Sequence, residues 1–145
     1  MCNFLSAIVL QSGEILCNPH CLDSHEDLIS AYGLMDGHIQ NGRFCRIEYL
    51  PPKDHKEIFD LDKWELKVDE ESIPEWFNRE ETLKKLNIIV SRMFVKEERK
   101  ILASGCYILG EGAVVNKVIG CRIYLMWGNS QVKEMYEDSQ VKAMY

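Results

Sequence analysis

The stretch that decides the architecture is Ala113–Tyr145, "AVVNKVIGCRIYLMWGNSQVKEMYEDSQVKAMY". Within it a pair of apolar residues three apart recurs: Val115 and Val118, Ile123 and Met126, Val132 and Met135, Val141 and Met144. Successive pairs start eight, nine and nine residues apart, and the last two sit in nearly the same word, Ser130–Tyr136 "SQVKEMY" and Ser139–Tyr145 "SQVKAMY". On a single α-helix a nine-residue step rotates each copy by about half a turn and throws successive pairs onto opposite faces. A parallel β-solenoid in which two words make one turn brings every pair to the same interior. The spacing therefore predicts a short β-solenoid-like repeat tail over residues 111–145. Solenoid units bury their apolar face only against neighbours, so Val141, Met144 and Tyr145 are expected to stay uncovered unless a second copy of the protein caps them. That predicts a homo-oligomer, a dimer or higher, formed through the tail.

Residues 1–110 read as an α+β core domain. Cys2–Leu10, "CNFLSAIVL", is apolar on both faces apart from Asn3 and Ser6, the pattern of a buried central strand. Ser12-Gly13 turns the chain, and Glu14–Cys17 returns as a hairpin partner. "DSHEDLISAYGL" carries capping-box spacings and predicts a short helix over Ser24–Tyr32, closed by Gly33. "RFCRIEYL" (Arg43–Leu50) alternates, with Cys45, Ile47 and Tyr49 on one face and Phe44, Arg46, Glu48 and Leu50 on the other; Pro51-Pro52 closes it. "KWELKV" is a further strand, with Trp64, Leu66 and Val68 on one face. A long helix is expected from just after Pro74 to about Val95, turning Leu83, Leu86 and Val90 toward an antiparallel sheet built from these strands. Ile101–Gly110 reads as a strand interrupted at Gly105 by a bulge or a close backbone approach.

Composition narrows the function classes. A chain of 145 residues that is 46% hydrophobic supports one compact domain with an appendage. Its net charge of -6, from 23 acidic against 17 basic residues, repels a phosphate backbone, and no basic patch offsets it, so no nucleic-acid partner is expected. No apolar run approaches the roughly 20 residues of a membrane span. The N-terminal apolar run has neither a basic segment before it nor a small-residue cleavage site after it, which predicts a cytoplasmic protein. There most of the six cysteines serve as small buried hydrophobes.

No strong catalytic signature is present, and four constellations are candidates. Cys2 follows the initiator methionine, and removal of Met1 would leave a free α-amine beside a thiol, the arrangement of an N-terminal nucleophile hydrolase. Cys17, His20, Cys21 and His25 in "CNPHCLDSH" are zinc-type ligands, but their spacing is not that of a standard site, and no metal or cofactor is expected. Arg46 and Glu48 point the same way on one strand. In a cleft, Arg46 offers a fork to a phosphate or carboxylate, Glu48 orients it or accepts a hydroxyl, and His25 near a helix N-terminus joins them. Trp76-Phe77 reads as a staple at the start of the long helix.

"MCNFLSAIVLQSGEILC", "DSHEDLI", "RFCRIEYLPP", "LKVDEESIPEWF" and the tail of short tandem words resemble an uncharacterised family found largely in bacteriophage genomes. The resemblance covers nearly the whole chain and is most specific in its MCNF-x-SAIV opening. It implies an N-terminal α+β domain joined to a repeat tail, and it directs attention to Cys2, Asn3, Ser6, His25, Arg46 and Glu48. It implies no activity. The phage setting it suggests makes a counter-defence role the expected one. The protein would bind a small anionic, nucleotide-like host signal and sequester or degrade it, with hydrolysis through Cys2 or inhibition of a host protein as alternatives.

Overall fold

A computed structural model describes residues 5–17, 24–34 and 43–145. Cys2, Asn3, His20 and Cys21 lie outside the described residues, as does the first part of the Cys2–Leu10 strand. The chain divides into two compact units, residues 1–88 and 89–145.

The first unit is α+β. Strand β1 (Leu5–Leu10) is buried along almost its whole length, as its apolar run on both faces requires. Gly13, at φ +89°, lets the chain reverse, with its N–H donating to the Leu10 carbonyl at 2.8 Å. β2 (Ile15–Leu16) then pairs with β1, Ile15 opposite Val9. Helix α1 (His25–Ala31) is capped by Ser24, whose Oγ accepts the Asp27 N–H, and it is followed by Gly33 at φ +64°. β3 (Phe44–Leu50) pairs with the other side of β1, setting Glu48 opposite Ser6 and Arg46 opposite Ile8. β4 (Glu65–Val68) pairs with β3, and the sheet order is β2-β1-β3-β4, antiparallel throughout.

Leu28 of α1 packs with Ile8, Leu16 and Phe44, so α1 covers the sheet face that also carries Arg46 and Glu48. Helix α2 (Arg79–Ser91) takes the opposite face. There the Tyr49 hydroxyl donates to Asn87 Oδ1, Lys85 Nζ donates to the Gly13 carbonyl at 2.8 Å, and Arg79 donates to the Leu66 carbonyl at 2.6 Å. The expected antiparallel sheet with one short and one long helix is therefore present. The long helix is shorter than the periodicity suggested. It begins at Arg79, not just after Pro74, because Asn78 caps it: Asn78 Oδ1 accepts the Glu81 N–H at 3.0 Å. Its buried residues are Thr82, Leu86 and Val90, four apart, with Leu83 half-buried.

In the second unit the pairing becomes parallel. β5 (Phe94–Val95), β7 (Cys106–Leu109), β9 (Arg122–Met126) and β11 (Gln140–Val141) form one sheet. β6 (Glu98–Ala103), β8 (Val114–Ile119) and β10 (Gln131–Tyr136) form another, so consecutive strands alternate between sheets. The parallel pairing begins at Phe94, ahead of the 110/111 boundary expected from the words alone, and it takes up the residues expected to end α2. Gly105 marks a corner and not a bulge: Ser104 and Gly105, at φ 60° and 91°, turn the chain from β6 into β7 and hence into the other sheet. Residues stack in columns: Leu102, Val118 and Met135; Tyr107, Ile123 and Val141; Leu109, Met126 and Met144. Their inner members form one core with Val95, Ala113, Val115 and Cys121. Val132 and Val141 are half-buried against that core, whereas Met135 and Met144 are exposed, each at the outer end of its column.

Candidate functional site

Charged and polar groups gather on the α1 face of the antiparallel sheet. A side chain in the middle of a four-stranded sheet is shielded by its neighbours whatever its polarity, and β3 places both Arg46 and Glu48 there. Glu48 is only 8% exposed. Ser6, opposite it on β1, is fully buried. His25, at the start of α1, is 6% exposed and reaches down onto β3, where its Nε2 lies 2.8 Å from the Ile47 carbonyl oxygen. A carbonyl only accepts, so Nε2 carries the hydrogen and Nδ1 is the nitrogen turned toward the end of β4. There it lies 3.5 Å from Asp69 Oδ2. One ligand-type atom each of His25, Glu48 and Asp69 lie within 4.8 Å of one another.

Asp69 and Glu70 were not among the residues singled out from the sequence. They arrive because the β3–β4 ladder continues past Val68: the Asp69 N–H donates to the Arg46 carbonyl at 2.9 Å, which brings the acidic pair alongside Arg46. Glu70 then takes the arginine. Its Oε1 accepts the Arg46 backbone N–H at 2.9 Å and Nε at 3.0 Å, and its Oε2 accepts Nη2 at 3.3 Å. This fork holds the guanidinium charged, pushing its pKa up from the ordinary arginine value. Arg46 is thus braced by a carboxylate of its own chain, not presented with its full fork open, although three of its five N–H donors are not engaged by Glu70.

The sequence-derived site is therefore brought together in part. Ser6, His25, Arg46 and Glu48 share one face, and Glu48 faces His25 and Asp69 and forms no pair with Arg46. Asn3 and Cys2 lie outside the described residues, as do His20 and Cys21 of the zinc-type cluster. Among the described cysteines, Cys45, Cys106 and Cys121 are buried. Cys45 lies on the other face of β3; burial, with a smaller contribution from the Glu70 carboxylate, pushes its thiol up to about 12 against the opposing pull of Arg46. Such a thiol stays protonated at neutral pH and is no nucleophile.

Among the described residues, Glu48 stands apart because its carboxylate has neither a hydrogen bond nor an ion pair. No helix of the described residues is long and apolar enough to cross a membrane. No family model, curated protein or solved structure matches the chain.

Proposed function

We propose that the protein binds a small, anionic, nucleotide-like molecule on the α1 face of its antiparallel sheet. The observation that supports this is the Glu48 side chain, only 8% exposed and without a hydrogen bond or ion pair among the described residues. A carboxylate in so enclosed a setting is poorly hydrated, and a ligand that donates hydrogen bonds to it replaces the water it lacks. Ribose hydroxyls are natural donors to such a group, and on this reading the N–H donors of Arg46 not engaged by Glu70 meet the ligand's negative end. The resemblance to phage proteins supplies the setting: sequestration, in the host cytoplasm, of a nucleotide signal made by host defence.

The parallel second unit is read as a short β-solenoid, two words to each turn, whose exposed Met135, Tyr136, Met144 and Tyr145 make the contact face of a homodimer. Light scattering on the full chain and on a form cut after Asn129 tests this. A dimer that becomes a monomer on truncation is expected, and a monomeric full chain overturns it.

The binding test is incubation with a panel of mono-, di- and cyclic nucleotides, removal of free ligand, denaturation, and chromatography of what is released. One nucleotide class should be retained intact by the wild type and lost in Glu48→Ala. Glu48 is the better probe than Arg46, because Arg46→Lys also loosens the brace to Glu70. Retention of no nucleotide, or equal retention by Glu48→Ala, removes this reading.

A further inference from the structure

We infer that His25, Glu48 and Asp69 form a divalent-cation site of one imidazole nitrogen and two carboxylates. Three observations carry it. The ligand-type atoms already lie within 4.8 Å of one another. Two atoms bound to one ion at about 2.1 Å each stand about 3.0 to 3.4 Å apart as neighbouring ligands and about 4.2 Å only when trans, so the widest pair must close by about 0.6 to 1.8 Å. Asp69, with its side chain 49% exposed, is the ligand with room to supply that closure.

Second, His25 is oriented as metal-bound histidines are. Nε2–H is anchored to the Ile47 carbonyl at 2.8 Å, which fixes the ring and aims Nδ1 at the carboxylate side. Third, Glu48 points into the cluster more than nine-tenths buried, with no hydrogen bond or ion pair among the described residues. A protonated His25 paired with Asp69 accounts for two of the three groups and leaves Glu48, whose cross-strand neighbours are Ser6 and the exposed Lys67, without an ion pair among the described residues. A divalent cation accounts for all three, because its charge balances two carboxylates beside a neutral imidazole.

The donor set points to an ion that takes both nitrogen and oxygen. Mn2+ fits, as does Zn2+, whereas Ca2+ takes oxygen ligands alone. Three protein ligands leave coordination positions open on the Asp69 side, where a phosphate oxygen can enter. This use of the ion rests on the nucleotide reading above, and it removes that reading's main difficulty, since an anion approaching Glu48 and Asp69 directly is repelled.

The test uses the full chain and Mn2+, which the six cysteines compete for far less than for Zn2+. Titration followed by Mn2+ electron paramagnetic resonance should show one saturable ion per chain. Binding should weaken at least about tenfold in Glu48→Gln and in Asp69→Asn, the latter an exposed change that keeps the fold even if the former does not. Unsaturable binding, or equal affinity in wild type and both variants, overturns the site. Repeating the nucleotide panel with and without Mn2+ separates the two proposals. Retention that needs no metal overturns the ion's part in holding the ligand while leaving the ligand reading intact, and a Mn2+ site with no nucleotide retained upholds the cation and overturns the ligand reading.

Discussion

Replacing Glu70 with alanine should destabilise the first unit by about 2 to 4 kcal/mol. Glu70 accepts three hydrogen bonds from one residue: the Arg46 backbone N–H at 2.9 Å, Nε at 3.0 Å and Nη2 at 3.3 Å. Its side chain is 8% exposed and that of Arg46 is 32% exposed. Removing one partner of a buried ion pair costs about 3 to 5 kcal/mol. Arg46 lies close to a third in water, so its stranded guanidinium is partly rehydrated and the charge contribution falls below that range. The lost acceptor of the Arg46 N–H, in the interior of β3, adds about 1 kcal/mol. At about 3 to 4 °C per kcal/mol for a chain of this size, the expected fall in Tm is about 6 to 16 °C. Urea unfolding followed by far-UV circular dichroism measures it, with Arg46→Met and the double variant closing a thermodynamic cycle. The two single effects should overlap by at least about 1 kcal/mol. A Glu70→Ala protein within about 0.5 kcal/mol of wild type, or single effects that simply add, would refute the pairing.

Three further outcomes are expected. Gly120→Ala should cost about 1 kcal/mol or more by thermal melting, because Gly120 sits at φ +61° with a new Cβ only 3.2 Å from Glu137 Oε2; no loss would mean the corner does not need a left-handed residue. Asn78→Ala should remove about 1 kcal/mol of stability and fray the start of α2, measurable as faster amide exchange over residues 79–82; unchanged exchange would discard the cap. Cys45 has a folded pKa raised to about 12 from 9.0, so its contribution to stability is fully present below pH 9 and is lost as pH rises toward 12, with a slope approaching about 1.4 kcal/mol per unit. Cys45→Ala should flatten that alkaline decline in a urea-midpoint series, and an identical pH profile would show that the thiol is not the titrating group.

The parts of the fold legible in the sequence are those in which a local signal and a tertiary demand agree. Ser12-Gly13 turns where a hairpin must turn, Ser24 caps where α1 starts, and the alternation of "RFCRIEYL" gives β3 two faces that two helices then cover. The nine-residue words are visible because each sets one column position: Gln131 and Gln140 open successive strands, one in each parallel sheet. The earlier members of the ladder were hidden by charge. β6 is Glu-Arg-Lys-Ile-Leu-Ala, of which only Leu102 is buried, so an outward-facing strand interrupts the apolar pattern. A left-handed residue recurs at the matching corner, Ser104, Gly120 and Glu137 at φ 60°, 61° and 55°, directly after the paired Ala103, Ile119 and Tyr136. Only one of the three is glycine, and so the corner leaves no period that composition reveals.

The site was legible as residues and illegible as pairs. Arg46 and Glu48 are adjacent on one strand face and invite pairing with each other, yet the decisive partner of Arg46 is 24 residues away, and Glu48 meets His25 from a helix on another part of the chain. One sequence-level step would have come close. With β3 and β4 antiparallel and Ile47 opposite Val68, continuing the ladder sets Asp69 opposite Arg46 and Glu70 one step further on, within reach of the same arginine. That register also separates what is structural from what is functional. The Arg46–Glu70 fork is complete within the chain, and it makes the local backbone rigid. Glu48 is the opposite case, a largely enclosed side chain with no hydrogen bond or ion pair among the described residues, where an apolar residue would pack at less cost. If the ligand and cation proposals hold, an enclosed carboxylate without a partner, next to a ring fixed by its own hydrogen bond and an exposed carboxylate, is what a binding group kept ready at some expense of stability would look like.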